Sequence, residues 1–324
     1  MNPIDIILWP FKWIVSAVLW VFHSLFTAIG MDPASGWTWV LAIVFMTFVM
    51  RILTVPLFLK QIKSMRGMQE LQPEMAKIQA KYKGKKDQLS RQAMAQEQMA
   101  LYKSKGANPL SSCFPIIVQM PVFFGLLQVL RGVPAASGNH EGILVLSADM
   151  VHQFNDAFIL GAPLFSTLTH PGNGNHTSTI ALAIIMIVAM SLSQFITQRQ
   201  LTAKNMSAQA KESPMYRQQQ MLMYLFPIIF AVGGINFPLG VLVYWTVSNF
   251  WAMGQQWWVI RNNPTAGSQA EKELNERRAA KGLPPVGKSR EEHEAELEAQ
   301  RERAQGGQRN QPVSKNRQKK KKKN

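Results

Sequence analysis

The fold class this sequence predicts is an all-α polytopic membrane protein with five transmembrane helices, on three observations. Apolar residues make up 47 % of its 324 positions and charged residues only 17 %, against a globular norm of about 25 %. The apolar residues gather in runs of about 18 or more, long enough to cross a bilayer as helices. In the successive connecting segments Lys and Arg number 11, 0, 4, 0 and 17, and such cations collect on the cytoplasmic side. The C-terminus and both basic loops are therefore expected in the cytoplasm, and the N-terminus outside.

Residues 1–36 precede the first span. From Phe11 to Ile29 they are apolar apart from Lys12, Ser16, His23 and Thr27, which fall within about 60° of one helical face. That single stripe, with Trp9, Trp13 and Trp20 suited to the headgroup zone, predicts a helix lying in the outer interface. The same stretch is long enough for a sixth span or a signal anchor. Span one follows at 37–59.

Residues 60–111 read as a cytoplasmic helical hairpin, rich in helix formers, with Pro73 at a helix start and Gly84 breaking the run. Its Met-rich seams, among them Met68, Met75, Met94 and Met99, suit a coiled-coil spacer or an adaptable docking surface. Span two occupies 112–131, an outer loop 132–177, span three 178–198 and a second cytoplasmic loop 199–217. The last apolar block is too long for one span, and the turn chemistry between Gly233 and Gly240 divides it into spans at 218–235 and 238–260. Residues 261–324 carry 17 cations against nine acidic residues and end in five lysines before Asn324. They read as a disordered basic tail whose partners are polyanions, either anionic lipids or RNA.

Two features of the chain look like sites and are rejected on physical grounds. The outer loop holds His140, His152, His170 and His176, but their spacing matches no metal-ligand pair on one helical turn, so no metal is expected. The single cysteine, Cys113, excludes a cysteine-rich zinc cluster and an internal disulfide. Gly282 to Ser289 fits the phosphate-loop pattern letter for letter. That loop works by pointing backbone N–H groups at phosphate, and Pro284 and Pro285 have none to offer.

The polar residues within the spans carry the functional argument. A charged residue there costs about 2.5 to 3.5 kcal/mol on insertion scales and marks a functional candidate. Arg51 is the only one well inside a span, with Thr47 and Thr54 on the same face. At 1.5 Å rise per residue it lies roughly 12 Å from the cytoplasmic end, too deep to snorkel comfortably. Ser191, Gln194 and Gln198 form a stripe in span three, as do Tyr244, Ser248, Trp251 and Gln255 in span five, while Gln119 lies in the inner half of span two. Together they predict a polar cavity within the inner leaflet, open to the cytoplasm. No span carries a carboxylate, which disfavours an ion-coupled transporter. A channel or small-solute transporter remains the competing use of such a cavity.

The motifs themselves resemble a known family. Met50-Arg51-Ile-Leu-Thr-Val-Pro56-Leu, Asn108-Pro109-Leu110 with Cys113 and Pro115, Gln119-Met120-Pro121-Val-Phe-Phe, Phe226-Pro227, Phe237-Pro238-Leu-Gly240 and Tyr244-Trp245-Thr-Val-Ser248-Asn249 resemble the YidC/Oxa/Alb membrane protein insertase family. The absence of a large outer domain makes the chain similar to the short actinobacterial type of bacterial YidC. The resemblance implies a five-helix core with a cytoplasmic hairpin and a hydrophilic groove open to cytoplasm and lipid, lined by Arg51, Thr47, Thr54, Gln119, Ser191, Gln194, Gln198, Tyr244, Trp245, Ser248 and Asn249. It implies insertion and folding of nascent membrane proteins in the bacterial plasma membrane, alone or with the Sec translocon. The protein would then be no enzyme and need no cofactor. It also raises ribosome contact through the basic tail as a hypothesis.

Overall fold

A computed structural model describes residues 3–85, 87–106, 114–206, 220–221, 224–225, 228–229, 232–286, 292, 295 and 297–300. Asn108-Pro109-Leu110, Cys113, Phe226-Pro227 with other parts of predicted span four, residues 207–217 and the tail beyond 300 lie outside the described residues. The chain divides into two units, Met1–Gln269 and Ala270–Asn324.

Almost every described element is a helix. In the first unit these are α1 (Pro3–Ala28), α2 (Gly36–Glu70), α3 (Gln72–Lys81), α4 (Gln88–Ser104), α5 (Phe114–Gly138), α6 (Ala148–Asn155), α7 (His176–Lys204) and α8 (Leu239–Asn262). The only described sheet is the antiparallel pair β1 (Phe158–Ile159) and β2 (Ala162–Pro163). Segments of α1, α2, α5 and α7 are long and apolar enough to cross a membrane. Helix α8 is equally long, but Tyr244, Thr246, Ser248, Asn249, Gln255 and Gln256 lower its hydropathy.

Helix boundaries follow breakers and caps more closely than they follow charge. α2 continues past Leu59 to Glu70 because nothing before Pro73 interrupts it. α3 then starts at that proline, and Asp87 caps α4 by accepting from the Ser90 N–H at 2.8 Å. Leu71, Met75 and Tyr102 form the small buried core of this hairpin.

The main core is built where α1, α2, α5, α6 and α8 meet. Leu19, Trp39, Met46, Leu130, Phe154 and Tyr244 are among its buried side chains. Trp39 is buried in it, stacked on His23 at 4.0 Å and edge-on to Phe154 at 5.0 Å, with its indole N–H donating to the Pro33 carbonyl. A second cluster joins Ala183, Ile187 and Met190 of α7 to Leu239 and Leu242 of α8. Helix α8 therefore packs against α7 on one side and α2 and α5 on the other.

The polar stripe of α1 turns inward. Ser16 and His23 are buried, Thr27 donates to the His23 carbonyl, and Lys12 pairs with Asp5 at 3.3 Å. Trp9, Trp13 and Trp20 are exposed beside it. The helix crosses α5 at Gly125, where a Cβ would stand 3.2 Å from the Phe11 backbone. Lys12 also lines a cavity of about 370 Å³ with Arg131, Gly132, Ile143 and Leu144.

In the second unit the stretch read as disordered includes a described helix, α9 (Gln269–Ala279). Good helix formers, an acidic first turn and Arg277 and Arg278 in the last turn explain it. After α9 the chain folds back, with the Arg278 Nε donating to the Pro284 carbonyl at 2.7 Å and the Val286 N–H to Asn275 Oδ1 at 2.9 Å. Pro284 thus supplies an acceptor where a phosphate loop would need donors.

Candidate functional site

Arg51 projects from α2 toward α8, and its Nε and Nη2 both donate to Ser248 Oγ, at 2.9 and 2.6 Å. The guanidinium is half-buried, and Ser248 is buried. One turn earlier on α8, the Tyr244 hydroxyl accepts a hydrogen bond from Gln119 Nε2 of α5. Four residues from three helices thus form two linked polar contacts at adjacent turns of α8. The sequence places them there because Tyr244 and Ser248 are four apart and share a helical face.

No carboxylate meets Arg51 among the described residues. Its partner is a neutral hydroxyl, so the positive charge is positioned without being cancelled. In a low-dielectric setting such a charge attracts acidic or polar groups far more strongly than it would in water.

Other predicted site residues serve their own helices. Thr47 is fully buried and donates to the Ile43 carbonyl at 2.7 Å; Thr54 donates to the Arg51 carbonyl and Asn249 to the Trp245 carbonyl, both at 2.9 Å. Such back-bonding satisfies a side chain inside an apolar helix. Trp245 joins an aromatic group with Phe123 at 4.8 Å and Phe237 at 5.5 Å. Trp251 Nε1 donates to Gln255 Oε1 at 3.0 Å, so the lower part of that stripe closes on itself.

Ser191, Gln194 and Gln198 lie along α7, and no described hydrogen bond joins their side chains to the Arg51 cluster. The Ser191 hydroxyl is buried without a partner among the described residues, and so is that of Thr246 on α8. Sequence reading passed over Thr246, although it lies within the Tyr244–Asn249 motif. The signal available was a hydroxyl on a helix with polar neighbours on two faces.

In the outer loop, His152 Nδ1 pairs with Asp156 Oδ2 at 3.0 Å, one turn apart on α6 and its cap. No group of three His, Cys, Asp or Glu side chains converges among the described residues.

Comparison with known proteins fits this arrangement. Residues 30–266 match the family described as 60Kd inner membrane protein. A protein of Streptomyces avermitilis named membrane protein insertase YidC is 47 % identical over 277 residues, covering 82 % of this chain and 62 % of its own length. This chain therefore spans less than two thirds of that relative. Proteins of the same name from Tropheryma whipplei and Bifidobacterium longum are 40 % and 35 % identical, covering 82 % and 97 % of this chain and 86 % and 95 % of their own lengths. With its long apolar helices the chain is a multi-pass protein of the bacterial membrane. It belongs to the YidC family of 60Kd inner membrane proteins.

Proposed function

We propose that this protein inserts nascent membrane proteins into the bacterial plasma membrane and assists their folding. The observation that carries this reading is Arg51, half-buried in α2 and held on Ser248 by two hydrogen bonds with no carboxylate beside it among the described residues. A fixed positive charge in the inner part of the membrane attracts the hydrophilic end of a passing polypeptide. Receiving that end part-way across shortens the apolar path it must still cross, and so lowers the barrier to translocation. The substrate's apolar segment leaves sideways into lipid.

In this reading Gln119, Tyr244 and Ser248 hydrate and orient the groove with Arg51, while Thr47, Thr54 and Asn249 preserve the helices that carry them. Ser191, Gln194 and Gln198 line its α7 wall, and Trp245 closes it toward the outside. The groove opens to cytoplasm and lipid among five spanning helices, with predicted span four completing it. Helix α1 lies at the outer interface. That placement is supported by its tie to Pro33 and Trp39 at one end and by the cavity Lys12 shares with Arg131 and Ile143 at the other. The hairpin of α3 and α4 receives substrate in the cytoplasm, and the protein works alone or beside the Sec translocon. The basic tail contacts the ribosome or anionic lipid.

Reconstitution in liposomes tests the reading. Purified protein is expected to give protease-protected insertion of a short single-span substrate with an acidic translocated end, above the level in empty liposomes. Arg51→Ala is expected to lower it at least tenfold, equivalent to about 1.4 kcal/mol. Insertion no better than in empty liposomes would overturn the proposal, and release of a trapped small solute would favour a channel instead.

A further inference from the structure

Between the cytoplasmic halves of α2 and α8, on the cytoplasmic side of the Arg51–Ser248 contact, lies an open cleft of about 380 Å³. Its walls are Val55, Phe58 and Leu59 from α2 and Phe250, Trp258 and Val259 from α8. Of the two polar side chains that border it, Trp251 spends its indole N–H on Gln255 Oε1, and the exposed lining is almost wholly apolar. The cleft is therefore dry, unlike the cluster one turn above it.

We propose that this cleft seats one acyl chain of an anionic phospholipid, with the headgroup held at its cytoplasmic mouth by Lys60 and Arg261. Polarity and charge favour that occupant. The walls are aliphatic and aromatic, which suits a hydrocarbon chain and offers little to a polar segment. At the mouth, Lys60 follows Leu59 directly, and Arg261 lies one turn beyond Trp257, over whose ring its guanidinium stands at 5.3 Å. Exposed Trp257 and Trp258 are the side chains expected at the headgroup boundary. No acidic residue lies in α2 before Glu70 or anywhere in α8 to oppose an anionic headgroup.

Gly254 provides a clean way to close the site. It lines the cleft, and a Cβ added there meets nothing within 4 Å. A larger side chain would enter the cleft without striking backbone, and replacing a mid-helix glycine favours the helix.

The test uses the full chain in nanodiscs containing phosphatidylglycerol with a photoreactive diazirine at mid-chain, or the matching phosphatidylcholine, with labelled peptides mapped by mass spectrometry. Wild type is expected to be labelled on peptides covering both Val55–Leu59 and Phe250–Val259. Two near-surface cations, each strengthening an anionic contact about fivefold, should give phosphatidylglycerol a preference of tenfold or more. Gly254→Leu, displacing about two methylenes, should lower cleft labelling roughly tenfold with unchanged thermal unfolding; Gly254→Val repeats the test if Leu alters unfolding. Lys60→Gln with Arg261→Gln should keep the label and lose the headgroup preference. Labelling unaffected by filling the cleft, or equal for the two lipids in wild type, would overturn the proposal. So would a stalled substrate segment that cross-links to Phe250–Val259 and displaces the lipid. The cleft is separate from the Arg51 cluster, so loss of lipid labelling in Gly254→Leu with insertion retained tells this inference apart from the insertion reading.

Discussion

Arg51 holds two hydrogen bonds to a single hydroxyl, which makes Ser248 the side chain on which its position depends. Ser248→Ala should remove a charge-assisted contact of about 1.5–3 kcal/mol. Expected outcomes are a lower melting temperature in detergent and a several-fold loss of substrate insertion in liposomes, with Ser248→Thr close to wild type. Tyr244→Phe should weaken insertion less, because it removes only the acceptor for Gln119 and keeps the ring in the core. The pairing of Arg51, Gln119, Tyr244 and Ser248 was legible as a set of polar residues at helical intervals. The roles of Thr47 and Asn249 were not, because back-bonding to the preceding turn is a choice of rotamer that leaves no trace in spacing. Neither could the α7 stripe be assigned to the Arg51 side of α8 or to its other side, since intervals fix a face but not its neighbour.

At the scale of elements, the hairpin of α3 and α4 is latched by electrostatics that pH can release. Hydrogen bonds from Lys81 and then Tyr82 hold the Glu97 carboxyl below its usual range, and the same contact with Glu97 raises Lys81. The carboxylate contribution is fully present at neutral pH and is lost as pH falls through the depressed value of Glu97; that of Lys81 is lost only in strong alkali. Amide protection in α3 and α4, taken relative to the intrinsic exchange rate at each pH, should therefore fall on acidification below about pH 4, where carboxylates begin to protonate. Glu97→Gln should flatten that response in part. The remainder should follow Asp87, whose carboxyl is held low by the Ser90 N–H at the start of α4. A second element, α1, depends on close approach: Gly125→Val should push it off α5 and expose Ser16, seen as faster exchange in α1 with α7 unchanged. The breaks that bound α3 and α4 were readable from Pro73 and Gly84, which interrupt a run of helix formers. That α2 enters it without a break was not, because the change from apolar to charged residues at Lys60 marks a change of solvent and leaves helix propensity intact.

For the whole molecule, charge asymmetry makes a topological prediction. In a Cys113→Ser background, Glu141→Cys in the outer loop should react with an impermeant thiol reagent in intact cells. Leu89→Cys on the exposed face of the hairpin should react only after the membrane is opened. The reverse pattern would invert the orientation drawn from Lys and Arg. Helices α2, α5 and α7 were visible in hydropathy, being dominated by apolar residues, whereas α1, read as lying in the interface, is also long and apolar enough to span. Helix α8 was recognised in spite of its polar stripe because turn chemistry marks its start. Its place between α7 on one side and α2 and α5 on the other could not be read, since it is decided by which apolar faces fit together, Leu242 in one cluster with Met190 and Val241 in another with Leu130.

The seat of α1 imposes an order on the making of the protein. Phe11 and Lys12 rest on Gly125, more than a hundred residues further along the chain. At a synthesis rate of about 20 residues per second or slower, roughly six seconds separate the two on the ribosome. For that interval the first helix has no floor. His23 finds Pro33 and Trp39 early, but the face of α1 that meets α5 stays uncovered while α2 and the hairpin are made, and the helix settles only once α5 has been threaded. A protein proposed to receive unfinished membrane segments is thus, during its own birth, the bearer of one.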